Sequence, residues 1–104
     1  MTTKWHVSLS RDAKKQYIKL ERSGQKRPSI IDAIDALVMD LMINGPILTG
    51  WPNYGLIKIG KNDTFHHCHL KKGRPTFVAC WKVTDERGKK LELFYVGTHE
   101  GAPY

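Results

Sequence analysis

In the stretch FHHCHLKKGRPTF, residues 65–77, three histidines fall within four positions and a basic loop follows them. Imidazole gives and takes protons near neutral pH because its ordinary pKa is ~6.5, so a histidine cluster suits acid–base work. The His67-x-His69 spacing can also present two nitrogens to zinc. Side chains alternate along a strand, so His67 and His69 share one face while His66, Cys68 and Leu70 share the other. Cys68 and Leu70 are core types. His67 and His69 are therefore expected to face outward, with His66 packed or at an edge.

A fourth imidazole joins them through the order of the strands. If 65–70 and 76–84 form a hairpin around KKGRP, His69 pairs near Phe77. Segment 91–97, returning through DERGKK, then flanks the same central strand on its other side and brings His99 near Thr76. His69 and His99 are thus expected at one end of the sheet, two strand spacings or ~10 Å apart. The zinc alternative lacks a second close pair of ligands, although His99 or Glu100 could contribute, and the surrounding lysines oppose a bound dication. No metal and no cofactor is expected.

The surroundings suit a phosphodiester better. Between Trp51 and Lys82 the cations Lys58, Lys61, Lys71, Lys72, Arg74 and Lys82 face one acid, Asp63, within a chain of formal charge +7. Such a field attracts polyanions through counterion release, and nucleic acid is the usual one. RNA cleavage requires a 2′-hydroxyl to lose a proton, attack the adjacent phosphorus, and release a 5′-oxygen that regains one. Histidines serve both transfers. Lys58, Lys71, Lys72 and Arg74 could hold the phosphorane charge, Arg74 in bidentate fashion. Trp51, Tyr54 and Tyr104 are candidate stacking platforms for unpaired bases. KGRPTFVACW faintly echoes a ribonucleoprotein motif, but an RNA-recognition sheet needs a helix where this chain has only DERGKK.

Around these residues the 104-residue sequence reads as a single domain, 1–104. WHVSL, 5–9, alternates as a half-buried strand. Ser10 caps a helix through about Arg22 with Ala13, Tyr17 and Leu20 on its apolar line. Pro28 and Ser29 open a second helix striped by Ile30, Ile34, Leu37 and Leu41, and NGP at 44–46 ends it. Strands are expected at 56–60, 65–70, 76–84 and 91–97. FVACW lacks alternation and fits a central strand covered on both faces. The class is α+β, with both helices packed on one face of the sheet and the other face left available. Cys68 and Cys80 read as a reduced structural pair. No run reaches bilayer length and no signal-like segment is seen, so a cytoplasmic protein without membrane contact is expected.

The element order, the segment GRPTFVACWKVTD and the ending LELFYVGTHEGAPY resemble the RelE/ParE superfamily of toxins from bacterial type II toxin–antitoxin systems. The likeness spans essentially the whole chain, and the GTH motif followed by a closing aromatic is similar to the YafQ-like branch. The resemblance implies the RelE-like fold and an endoribonuclease that cuts mRNA in the ribosomal A site. His99 then matches the tail histidine acting as acid, and His69 the strand histidine that aids proton transfer, with His67 as its alternative. Tyr104 matches the aromatic that orients substrate, and Lys58 the basic strand position. The sequence departs from the family in two places. An aspartate of the YafQ-like hairpin is replaced by KKGRP, so Arg74 or a lysine would act by charge, and an earlier family histidine is Gly45 here. The resemblance also implies a cognate antitoxin, an acidic segment wrapping the basic face in a hetero-oligomeric complex, with the ribosome and mRNA as further partners. The ParE branch, which inhibits DNA gyrase without cutting RNA, is the alternative.

Overall fold

The computed structural model describes residues 4–23, 28–61, 63–71 and 75–104. The chain runs β1 (His6–Leu9), α1 (Arg11–Arg22), α2 (Pro28–Asn44), β2 (Gly55–Ile59), β3 (Asp63–Lys71), β4 (Phe77–Asp85), β5 (Lys90–Thr98) and a 3-10 turn, His99–Gly101. The five strands form one sheet in the order β1-β5-β4-β3-β2. β2 to β5 are the expected antiparallel meander, and β1 adds to it by pairing parallel with β5.

Each helix follows from its sequence. The Ser10 hydroxyl accepts from the Ala13 N–H at 3.1 Å, satisfying an end that the helix itself leaves open. In α2 the residues Ile30, Ile34, Leu37 and Leu41 are buried at helical spacing. Tyr17 ties the two helices together by donating to the Asp35 carboxylate at 2.8 Å. α2 stops at Gly45, whose φ of 84° suits glycine, and whose N–H donates to the Leu41 carbonyl. A Cβ there would also lie 2.7 Å from the Trp5 indole nitrogen. Gly45→Ala combines backbone strain with that overlap and is expected to cost about 1–3 kcal/mol, read as a lowered midpoint in urea unfolding.

The helices cover one face of the sheet. Cys68, Leu70, Phe77, Ala79, Trp81, Leu91, Leu93 and Val96 meet the α2 stripe in a single core. Trp81 is fully buried and donates its indole N–H to the Pro46 carbonyl at 3.0 Å. All of Phe77–Trp81 is buried, as a central strand requires. Val78 and Cys80, however, point away from the helices and are still fully enclosed. The face expected to lie open is therefore partly covered. The chain after β5 turns back over it, and Tyr104 packs against Phe65 and His67. Cys68 and Cys80 pair with Ala79 and His67 respectively, which puts their thiols on opposite faces. Both are free, and burial pushes each up to about 12.

Two of the register shifts in the sheet set the geometry of the histidine face. In β5, Leu93 pairs with Trp81 and Tyr95 with Cys80, leaving Phe94 as an extra residue. Buried positions then run 91, 93, 96 instead of strictly alternating. Phe94 and Tyr95 both turn toward the histidine face. In β3, Lys71 rather than His69 faces Phe77, and His69 pairs with Val78.

Candidate active site

The face opposite the helices gathers the histidines. Phe65, His67 and His69 alternate onto it from β3, beside Val78 and Cys80 of β4. His99 arrives where β5 ends, and its N–H donates to the Thr76 carbonyl at 2.8 Å. The rings of His69 and His99 are 5.9 Å apart and meet edge to face. That is closer than the strand spacing alone suggests, because the tail turns inward at His99. Tyr104 lies between the two segments, its ring 4.8 Å from His67 and 5.5 Å from His99. Phe65, buried, supports it from below at 6.2 Å. Three imidazoles and a phenol therefore meet at one rim.

The ring of His67 is fixed. Its Nδ1 lies 3.0 Å from the Gly55 carbonyl, which can only accept, so Nδ1 carries the proton. In the neutral ring Nε2 is left with the free lone pair. Position 55 is close enough that a Cβ would sit 3.2 Å from the His67 ring, so glycine lets the carbonyl approach. The backbone N–H of His69 donates to the Pro52 carbonyl at 2.8 Å, anchoring the loop before β2. Burial, with smaller contributions from Cys80, Cys68 and Tyr95, pushes the Tyr104 phenol up to about 12. It stays protonated at neutral pH and can donate. At 39 % exposure its ring is still reachable from solvent.

His66 takes the other face. It stacks on Trp81 at 5.8 Å with 5° between the planes, and on Tyr54 at 5.9 Å. Its Nδ1 and the Tyr54 hydroxyl are hydrogen-bonded at 2.8 Å. Burial lowers its pKa below the ordinary imidazole value. An unfolded His66 thus binds a proton that the folded one resists, and stability falls as pH drops below ~6.5. Thermal midpoints at pH 7.5 and 5.5 are expected to differ more in the wild type than in His66→Phe.

The expected base-stacking residues Trp51 and Tyr54 are on this helix side as well, and the expectation is corrected. Both pack against the core, Tyr54 is stacked against His66, and the Trp51 indole donates to Asp40 at 2.7 Å. Lys58 is exposed but pairs with Thr64, which alternates with His66 and Cys68, so it too belongs to the helix side. Thr64 lies five residues, ~17 Å, along β3 from His69. Lys61 occupies the exposed turn beyond it. Lys58 therefore shares a face with His66 and not with His67 and His69. Lys71, exposed, ends β3 at the His69 end of the sheet. Lys72 and Arg74 lie outside the described residues.

Sequence reasoning passed over Phe65, Phe94 and Tyr95. Phe65 was accessible to the alternation that paired His67 with His69. Phe94 and Tyr95 were not, because a bulge precedes no marker in FYVG. Among the described residues, no three of His, Cys, Asp and Glu are grouped to hold a metal ion. No helix among them is long and apolar enough to cross a membrane.

This arrangement of helices, sheet and tail is the RelE-like toxin fold, and solved toxin structures share it. A chain of the DinJ–YafQ complex from E. coli matches with a TM-score of 0.70 at 16% identity, over 96% of this chain and 99% of that one. The YoeB dimer from Staphylococcus aureus matches at 0.65 and 15%, over 92% and 98%. A metal-bound toxin from Helicobacter pylori matches at 0.64 and 20%, over 92% and 96%. No family model and no curated protein matches the sequence.

Proposed function

We propose that this chain is the toxin of a toxin–antitoxin pair and acts as a ribosome-dependent endoribonuclease on mRNA. The observation that carries the reading is the meeting of His67 and His69 from β3 with His99 and Tyr104 from the tail. A surface without chemistry has no need to fold a tail back onto two histidines.

In the proposed reaction, His67 Nε2 takes the proton of the ribose 2′-hydroxyl, with its tautomer held by Gly55. The freed oxygen attacks the adjacent phosphorus. His99, in its protonated form, gives a proton to the departing 5′-oxygen, and the products are a 2′,3′-cyclic phosphate and a 5′-hydroxyl. His69 stands beside His99 and orients it. The Tyr104 phenol, still protonated at neutral pH, donates to a phosphoryl oxygen or lies under a base. Lys71, exposed at the His69 end of β3, supplies positive charge near the phosphate, and Lys72 and Arg74, outside the described residues, stay candidates from the sequence for the same task. A small open site of this kind holds little of a single-stranded substrate, which is why the ribosome is given the task of presenting it.

The likeness to a chain from the DinJ–YafQ complex supports an antitoxin as the protein partner in a hetero-oligomeric complex, working in the cytoplasm. Gyrase inhibition in the manner of ParE has no observation in its favour, because it requires no cluster of proton-transfer groups. Induction in cells followed by mapping of mRNA 5′ ends, alongside a gyrase supercoiling assay, tests the reading. New ends within coding regions and unaffected supercoiling are expected. Intact mRNA during growth arrest would overturn it.

A further inference from the structure

His99 and Tyr104 belong to one short segment, and its course is decided at the peptide bond joining Thr98 to His99. The N–H of that peptide donates to the Thr76 carbonyl at 2.8 Å, and its C=O accepts from the Tyr95 hydroxyl at 2.6 Å. The plane is therefore held from both sides, once by backbone and once by a side chain. Thr98 is the N-cap of the 3-10 turn, yet its own side chain makes no capping bond. The restraint at the start of this turn comes from Tyr95.

Two glycines show how closely the chain wraps that hydroxyl. A Cβ at Gly97 or at Gly101 would lie 2.8 Å from the Tyr95 oxygen in each case. Neither glycine has a positive φ, so conformational freedom is not their reason. Space around the hydroxyl is. The end of β5 passes on one side of the oxygen and the end of the turn on the other. The Ala102 N–H then donates to the His99 carbonyl at 3.1 Å, directing the chain toward Tyr104. The β5 bulge, by spending one residue at Phe94, aims Tyr95 at this point.

We infer that Tyr95 is a positioning residue, whose hydroxyl fixes the 98–99 peptide and thereby aims the His99 imidazole into the site. It touches no reacting atom in this scheme. The inference rests on the proposed ribonuclease reading for its kinetic consequence, while the placement of His99 can be measured separately. A misplaced acid slows the chemical step without weakening substrate binding, since small displacements are costly in catalysis.

Tyr95→Phe removes one oxygen and keeps the ring. Single-turnover cleavage on programmed ribosomes is expected to fall about tenfold with ribosome affinity unchanged. The His99 ring resonances in NMR spectra should lose their contacts to Tyr104. Gly101→Ala should slow cleavage by pressing on the hydroxyl. In the Tyr95→Phe background the same alanine fits, because its next neighbours are at ordinary distances of 3.6 Å and 3.9 Å. The double variant should therefore be no slower than Tyr95→Phe alone. Wild-type cleavage and an undisturbed His99 ring in Tyr95→Phe, or strictly additive losses in the double variant, would overturn the inference. If His99→Ala cleaves normally, the ribonuclease reading fails instead, and the His99–Tyr104 contacts in Tyr95→Phe still decide whether the clamp exists.

Discussion

Replacing His99 by alanine is expected to lower cleavage of ribosome-bound mRNA by about 10²–10⁴-fold, the range spanned by a single positioned acid or base. Its side chain is exposed at the rim and supports no part of the core. The thermal midpoint should therefore stay near that of the wild type, and growth arrest on induction should disappear. His99→Gln, which keeps a donor but cannot shuttle a proton at neutral pH, should be nearly as inactive. A folded His99→Ala chain that still arrests growth would remove the acid from the scheme.

The second large effect is expected at His67. His67→Asn places an amide nitrogen where Nδ1 stands and can donate to the Gly55 carbonyl, so local structure should survive while the base is lost. Cleavage is expected to fall about 10²-fold or more, and further than in His69→Gln. The ordering follows from hydrogen bonding. The Nδ1–H of His67 is held by the Gly55 carbonyl, which presents Nε2 as the acceptor, and its ring lies 4.8 Å from that of Tyr104; the ring of His69 lies 5.9 Å from that of His99, the acid. Comparing pH–rate profiles separates the roles: losing the base should flatten the limb on which rate rises with pH. Equal or reversed losses at 67 and 69 would transfer the base to His69.

Much of this geometry could be read from residue order. The α2 stripe, the Gly45 stop and the apolar run at 77–81 each carry a periodicity that only one element satisfies. Strand arithmetic alone brought His69 and His99 to the same end of β4. Where it erred, local departures from regular pairing were responsible. The bulge between His69 and Lys71 shifted the partner of His69 from Phe77 to Val78, and the one at Phe94 turned two successive aromatics to one side. The parallel docking of β1 on β5 depends on how two helices cross the sheet, which no short pattern encodes. Lys58 was grouped with the site by charge, but which face it takes depends on the β2–β3 register. Trp51 and Tyr54 were grouped with it as aromatics, although Asp40 and His66 were available as partners on the packed side. The return of Tyr104 over the sheet was legible only through resemblance, because it depends on the Tyr95 hydroxyl bond to the Thr98 carbonyl and on the space that Gly97 and Gly101 leave around it, which no short pattern encodes.

The most direct measurement is the chemistry of the new RNA ends produced by the purified chain on ribosomes carrying a defined mRNA. Paired proton transfer by His67 and His99 requires a 2′,3′-cyclic phosphate upstream and a 5′-hydroxyl downstream, with both absent in His99→Ala. A 5′-phosphate on the downstream fragment, or uncut message from a folded and ribosome-bound chain, would contradict it.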